Sequence, residues 1–157
     1  MKRLVLTLLA ALALCACESG KANTAISQDE KIDSFIQSKY ADSDVVFNNG
    51  VNRIVLEAGD STAFAAPGDR VSFSYVGRSF SGSSIGGAFT LGEYTSTLGS
   101  GEMIQGLEYG IEGMCPGEHS YIIFSCKYGY DKSVAGIGSD QPLVFEVTLN
   151  EINPHNE

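Results

Sequence analysis

The alternation of apolar and polar residues near the C-terminus is the feature that most constrains the fold. Between residues 143 and 150, every second position is apolar: Leu143, Phe145, Val147 and Leu149. Residues 71–75 repeat this pattern. A period of two predicts strands with one buried and one solvated face, which is typical of antiparallel sheets. We therefore expect an α+β domain in which a helix covers the apolar face of the sheet.

Two other segments have helical spacing. Residues 28–40 follow a capping-box pattern at residues 27–30 and carry one apolar stripe, which predicts a short amphipathic helix. Residues 103–114 place three apolar side chains on one face. Gly106 and Gly110 each weaken that second helix by about 1 kcal/mol relative to Ala, so we expect tertiary packing to hold it.

A hairpin is predicted ahead of the main sheet. Asn48-Asn49-Gly50 accepts positive φ and stands between two short apolar runs, which is a strong turn signal. A further strand is predicted over residues 119–125. That strand separates Cys115 from Cys126 by on the order of 20 Å, which is beyond the reach of a disulfide. We expect free thiols.

Two segments are rich in glycine and are predicted to be loops. Residues 77–101 are dominated by Gly, Ser and Thr, and we expect a long surface loop with a weak strand near residues 94–98. Residues 128–141 predict a second loop. Long loops on small domains are often functional.

The N-terminus is typical of an export signal. A basic start, Met1-Lys2-Arg3, precedes an apolar run over residues 4–14 that is too short to span a ~30 Å hydrocarbon core. Leu14-Cys15-Ala16-Cys17 resembles a bacterial lipobox, which predicts removal of residues 1–16 and lipidation of Cys17. The alternative is an ordinary signal peptide cut near Cys17.

Length and charge exclude several classes of protein. The 157 residues allow one domain and a tail. A net charge of −9, from 10 basic and 19 acidic residues, argues against nucleic-acid binding. The only histidines, His119 and His155, leave little for a metal site or a histidine relay. We predict four regions: a signal peptide (1–16), a tether (17–27), a helix-and-hairpin extension (28–57) and the main domain (58–153).

Residues 67–152 contain short motifs in a characteristic order. These are Pro67-Gly68-Asp69, Ser74-Tyr75-Val76-Gly77, Leu98-Gly99-Ser100-Gly101, Met103-Ile104-Gln105-Gly106-Leu107, Gly113-Met114, Tyr128-Gly129-Tyr130 and Leu143-Val144-Phe145. In order and spacing they resemble an FKBP-type peptidyl-prolyl cis-trans isomerase domain. The resemblance implies a five- to six-stranded antiparallel sheet wrapped around a short helix. The residues alone also allow an unrelated small antiparallel α+β domain.

The resemblance implies a site and a function. The implied catalytic residues are Tyr75, Ile104 (through its N–H) and Tyr130. The other implied pocket residues are Tyr94, Met103, Leu107, Ile137 and Phe145. The expected activity is isomerisation of X-Pro bonds in proline-containing peptides or unfolded client proteins, without cofactor or metal. With the lipid anchor, this indicates a folding helper on a bacterial membrane, at the periplasmic side or the cell surface.

Two departures from the family pattern leave a second function open. Leu107 stands where the family has a pocket-floor Trp, and the chain contains no Trp. The family's Phe-Asp pair falls at Ile85-Gly86, or at Phe89-Thr90 if the strand slides, and neither pair supplies the Asp. The alternative is a catalytically weakened FKBP-like binding module without significant isomerase activity.

Overall fold

The computed structural model describes residues 2–155, with side chains for residue 20 and residues 22–155. Its elements are α1 (Lys2–Lys39), β1 (Val45–Asn48), β2 (Val51–Glu57), β3 (Arg70–Phe80), β4 (Ile85–Thr97), α2 (Gln105–Ile111), β5 (His119–Phe124), a 3-10 turn (Cys126–Tyr128) and β6 (Leu143–Asn153). Over this range the strands form one antiparallel sheet in the order β1-β2-β5-β6-β3-β4.

Helix α2 packs on one face of the sheet, which we call the inner face. Phe145 and Val147 of β6 belong to the core cluster on this face, together with Leu107 and Ile111 of α2. Their burial removes apolar surface from water, which is the main favourable term in folding. The predicted α+β fold, an antiparallel sheet wrapped around a short helix, is confirmed.

Helix α1 packs on the opposite, outer face. Its Ile32 and Phe35 form a second buried cluster with Ile54, Phe80 and Ile123 of the sheet. These sheet residues have the opposite parity in their strands to the inner-face residues, because successive side chains of a strand point to opposite faces. Both faces of the sheet therefore carry a helix.

The start of α1 differs from the predicted start. The helix runs from Lys2 to Lys39 as one element, so the capping box at Ser27 does not mark its first turn. Residues 17–27, interpreted as a tether, are helical in this structure. Ala25 and Gln28 are buried and extend the buried face of the helix backwards by two turns from Ile32. Cys17 lies outside the residues whose side chains are described.

The prediction of a loop over residues 77–101 is wrong for most of its length. The segment is the long edge strand β4, which pairs with β3 from Arg70↔Thr97 to Phe80↔Ile85. A tight turn joins the two strands, with Gly82 at φ +91°. Pairing satisfies the backbone of β4, and the small residues that suggested a loop are tolerated because an edge strand packs on one side only.

Helix α2 is shorter than predicted and is held by close packing. A Cβ added at Gly106 would overlap the ring of Phe124, and one added at Gly110 would overlap Ile122. The two glycines therefore lower helix propensity but let the helix backbone lie directly on β5. Packing against β5, and not intrinsic helix propensity, therefore stabilises this helix.

Cys115 and Cys126 are both buried and are not joined to each other.

Among the described residues, no helix combines the length and the apolar character needed to cross a membrane.

Candidate active site

An apolar cavity of about 260 Å³ opens between α2 and the inner face of the sheet. Its lining consists of Phe73, Tyr75, Tyr94, Glu102, Met103, Ile104, Leu107, Tyr130 and Phe145. The structure thus brings together every predicted pocket residue except Ile137. These side chains come from three strands, one helix and two connecting segments, so only the tertiary fold could assemble them.

Aromatic rings build the sheet side of this cavity. Phe145 is 1% exposed and stacks on Phe124, with ring centroids 6.0 Å apart and planes 8° from parallel. Tyr75 and Phe89 each approach Phe145 with centroids 6.1 Å apart. Such contacts between rings fix their orientation as well as burying area. These contacts therefore fix the orientation of the Tyr75 and Phe145 rings in the wall of the cavity.

Ile104 stands directly before α2 in an extended conformation, with φ −64° and ψ 145°. Its carbonyl accepts hydrogen bonds from the N–H groups of Leu107 and Glu108, at 3.0 and 3.2 Å. Within residues 2–155, its own N–H donates to no backbone acceptor. This N–H is one of the free donors that every helix start leaves, and here it lies at the cavity.

The loop before Ile104 is held by a buried carboxylate. Glu108 of α2 accepts hydrogen bonds from the N–H of Gly99 and, at 3.1 Å, from the N–H of Gly101. Both glycines adopt positive φ, +82° and +77°, which other residues rarely adopt. The contact ties the loop to the helix and so fixes the path of the chain into Ile104.

Tyr75 and Tyr130 both line the cavity. Burial raises the pKa of Tyr130 above the ordinary tyrosine value, and the nearby Tyr75 raises it further. Tyr130 therefore stays protonated and able to donate a hydrogen bond throughout the physiological pH range. An apolar cavity that contains a protonated phenol suits a neutral ligand with a carbonyl group.

Arg53 of β2 fixes the C-terminal end of α2. Its guanidinium donates to the carbonyls of Gly110 (3.0 Å), Glu112 (2.7 Å) and Gly113 (3.4 Å). It also pairs with Glu118, with Nε and Oε1 3.0 Å apart. These carbonyls are the acceptors that a helix end leaves unsatisfied, so Arg53 caps the helix that carries the pocket floor.

The surroundings of Arg53 are nearly dry. Its side chain is 8% exposed and that of Glu118 is 7% exposed. Burial lowers the pKa of Arg53, and the charge of Glu118 opposes this effect. Asn48 of the same hairpin adds a hydrogen bond of 3.0 Å to the carbonyl of Tyr109. The hairpin is therefore bound to α2 through polar contacts as well as through the sheet.

Two positions that the sequence placed at the pocket, Ile137 and Gly86, do not line the cavity. Ile137 packs against the core cluster of the inner face but does not line the cavity. A Cβ at Gly86, the expected position of the missing Asp, would meet the side chain of Ser79. The residue across from Tyr75 is Gly92, whose added Cβ would lie 3.4 Å from the Tyr75 hydroxyl. The difference arises because β3 continues to Phe80 and β4 begins only at Ile85, so position 86 lies at the start of β4 and not opposite Tyr75.

Sequence reasoning missed three residues around the site. Phe73 was detectable, since it lies two positions before Tyr75 and therefore on the same face. Arg53 was also detectable as a lone cation within an apolar strand. Glu102, whose carboxylate accepts a hydrogen bond of 2.9 Å from Ser96, gave no signal. Phe89 was expected only as the alternative position of the family's Phe, and the structure places its ring against Phe145.

A polar groove of about 430 Å³ continues from the cavity. It shares Glu102, Met103, Ile104 and Tyr130 with the cavity. Its further lining is Gly101, Gln105, Lys127, Gly129 and Asp131. An extended peptide could thus place one side chain in the apolar cavity while its polar backbone continues along the groove.

A depression of about 400 Å³ lies on the outer face, beside Val76, Leu91 and Glu146. The polar groups there are engaged with one another: Glu146 accepts from Arg78 at 2.8 Å and lies 3.2 Å from His119. Of the residues identified at the inner cavity, only Tyr75 also lines this depression, and neither Ile104 nor Tyr130 does. The inner cavity is the better candidate for chemistry.

Comparisons with known proteins agree with this geometry. Residues 61–150 match the family model described as FKBP-type peptidyl-prolyl cis-trans isomerase. The chain is 43% identical to an FK506-binding protein 2B of Rhizopus delemar over 63 residues, which cover 39% of this chain and 30% of the relative. It is 36% identical to an FK506-binding protein 1 of Aspergillus oryzae over 63 residues, which cover 40% and 54%.

A third relative is the Bos taurus peptidyl-prolyl cis-trans isomerase FKBP10, which is 40% identical over 67 residues. That match covers 41% of this chain and 11% of the relative. The chain thus spans between about a tenth and about half of the length of these relatives.

Proposed function

Because the chain belongs to the FKBP-type peptidyl-prolyl cis-trans isomerase family, we propose that it isomerises X-Pro peptide bonds in the inner cavity. The observation that carries this proposal is the convergence of Tyr75, Tyr130 and the Ile104 N–H on one apolar wall. The substrates are proline-containing peptides or unfolded proteins. No bond is made or broken, so the cavity needs neither a nucleophile nor a cofactor.

Catalysis depends on how strongly the cavity stabilises the amide as it twists. Rotation about the peptide bond has a barrier of about 18–20 kcal/mol, because twisting breaks the amide resonance. The planar amide is the more dipolar form and is better solvated by water. An apolar wall of Phe73, Leu107 and Phe145 therefore favours the twisted form over the planar one.

Two donors hold the substrate while it twists. The Ile104 N–H binds one substrate carbonyl, and the Tyr130 hydroxyl binds a second or the same oxygen. When the carbonyl is held, only the other side of the X-Pro bond has to rotate. Less substrate freedom is then lost on the way to the transition state, which lowers the entropy cost of the rotation. Tyr75 lines the same cavity and lies near enough to Tyr130 to raise its pKa.

The lining also sets a preference for the residue before proline. The cavity is mostly aromatic and aliphatic, and no lysine or arginine lines it among the residues with described side chains. An apolar side chain before proline gains about 25 cal/mol per Å² of buried area there, whereas a charged side chain is desolvated without a partner. We expect Leu-Pro and Phe-Pro peptides to be better substrates than Glu-Pro peptides.

One observation favours a second candidate, a binding module with little catalysis. Leu107 gives a smaller, aliphatic floor, and among the described side chains no carboxylate hydrogen-bonds the Tyr75 hydroxyl. Such a cavity would still bind proline-containing peptides but orient them less firmly. Magnetisation-exchange NMR on a Leu-Pro peptide distinguishes the two candidates, because it reports binding and isomerisation in one sample.

We also propose that the protein acts at a bacterial membrane, held by a lipid on Cys17. The support is the sequence: a basic start, an apolar run and the Leu14-Cys15-Ala16-Cys17 motif. Mass spectrometry of the membrane fraction should find an acylated N-terminal Cys17 and no peptide from residues 1–16. An intact Met1, or Cys17→Ser protein that remains membrane-bound, would contradict it.

A further inference from the structure

We infer that Gln28 of α1 is a positioning residue for the pocket, because its amide ties together the two ends of the loop that carries Tyr130. The inference rests on the proposed function of the inner cavity. Gln28 lies outside the matched family domain, residues 61–150. A segment ahead of that domain thus completes the pocket.

The contacts of Gln28 use both halves of its amide. Its Oε1 accepts a hydrogen bond of 2.8 Å from the N–H of Cys126, at the start of the loop. Its Nε2 donates a hydrogen bond of 2.7 Å to the carbonyl of Asp140, at the end of the loop. The residue is 8% exposed, so water cannot replace these bonds at little cost.

The middle of the loop between these two points is exposed, whereas Tyr130 and Ile137 on either side of it pack against the inner-face core. Residues 131–136 are exposed, and the internal bridge there joins only Val134 to Ile137. Segments with few buried apolar contacts open at low free-energy cost. Tying both ends therefore removes much of the freedom that would let Tyr130, near the start of the loop, leave the cavity.

The packing of α1 holds Gln28 in place. Ala25, Gln28, Ile32 and Phe35 form one buried stripe along the helix, and the last two belong to the outer-face core. The helix is thus fixed to the sheet independently of the loop. Through its two hydrogen bonds, Gln28 holds both ends of the loop in place relative to the helix.

The test uses the full chain with Gln28→Met, which keeps length and helix propensity but removes both hydrogen bonds. Gln37→Met is the matched control, since Gln37 is exposed on the same helix. Hydrogen exchange of the amides of residues 129–141 should rise about tenfold or more in Gln28→Met and stay unchanged in the control. This measurement needs no catalysis, so it tests the loop contact even if the proposed function fails.

The second readout is kcat/KM on a Leu-Pro peptide. Gln28→Met should lower it about five- to tenfold, mainly through a higher KM, because a mobile Tyr130 binds the carbonyl less often. In a Tyr130→Phe background the same change should have less than about a twofold effect. Equal losses in both backgrounds, or unchanged loop exchange, would overturn the inference.

Gln28→Glu provides a second variant if the Met variant does not fold. It keeps the acceptor for the Cys126 N–H but places a carboxylate oxygen against the Asp140 carbonyl. Exchange should then rise most near residue 140 and least near residue 126. A uniform rise over the whole chain would mean a general loss of stability and would contradict a local role.

Discussion

Arg53 and Glu118 form an ion pair beneath the C-terminal end of the pocket helix, with Nε and Oε1 3.0 Å apart and both side chains buried. The pair links the N-terminal hairpin to the segment between α2 and β5. Through the carbonyls of Gly110, Glu112 and Gly113, it also fixes the helix that presents Leu107 to the cavity.

Breaking this pair should destabilise the whole domain. Arg53→Met leaves Glu118 buried without its cation and leaves the helix carbonyls without donors, which should cost about 3–5 kcal/mol. Urea denaturation followed by circular dichroism measures this free energy of unfolding. Arg70→Met, at an exposed arginine of β3, is the control and should change it by less than about 0.5 kcal/mol. A loss under about 1 kcal/mol for Arg53→Met would contradict the assigned role.

Removing the Tyr130 hydroxyl should reduce catalysis without unfolding the protein. A hydrogen bond of this kind is worth about 1–1.5 kcal/mol, so Tyr130→Phe should lower kcat/KM about tenfold. The melting temperature should change little, because the ring remains. Tyr121→Phe, on the outer face, serves as the matched control and should leave kcat/KM unchanged. If both variants behaved alike, the Tyr130 hydroxyl would have no part in the site.

The raised pKa of Tyr130 predicts a flat pH profile. A phenol whose pKa rises on folding is neutral below its unfolded value of about 10, and it loses its proton only at higher pH. The stabilisation tied to the neutral phenol is therefore complete below that value and is lost as pH rises through the raised pKa. We expect kcat/KM to be constant from about pH 6 to 9. A decline within that window, absent from Tyr130→Phe, would show that Tyr130 ionises too early.

A carboxylate introduced beside Tyr75 should improve activity, and the structure indicates position 92 for it instead of position 86. Gly92 lies opposite Tyr75 on β4, so the carboxylate of Gly92→Asp would reach the Tyr75 hydroxyl. We expect kcat/KM to rise about threefold through a better-oriented tyrosine, worth well under 1 kcal/mol. Gly86→Asp, the position that sequence counting selects, is the control and should give no increase because it faces Ser79. An increase for Gly86→Asp alone would mean that the β4 register differs from this structure.

These residues show which parts of the fold could be predicted from sequence. The alternation that ends at Leu149 predicted a strand with one buried face, because a period of two is a direct consequence of strand geometry. The resemblance of the motifs around Tyr75, Ile104 and Tyr130 to the FKBP family implied which residues meet. The first signal is local, whereas the second depends on the resemblance because these residues are far apart in the sequence.

Pairing between distant segments was not predictable. The Gly-rich composition of β4 indicated a loop, and only its hydrogen bonding to β3 makes it a strand. The bulges near Gly77 moved Phe89, and not Ile85, onto Phe145. The helical state of residues 17–27 was also missed, because the capping-box pattern at residues 27–30 is local and indicated a helix start there. Tertiary context overrides propensity and composition at each of these positions.

The central claim is that the inner cavity isomerises X-Pro bonds, and magnetisation-exchange NMR on a Leu-Pro peptide tests it most directly. With micromolar full-length protein, exchange between the cis and trans resonances should appear on a timescale of a second or less. Without the protein, isomerisation takes tens to hundreds of seconds. Exchange no faster than in the free peptide, at a protein concentration that shifts the peptide resonances, would contradict catalysis and favour the binding module.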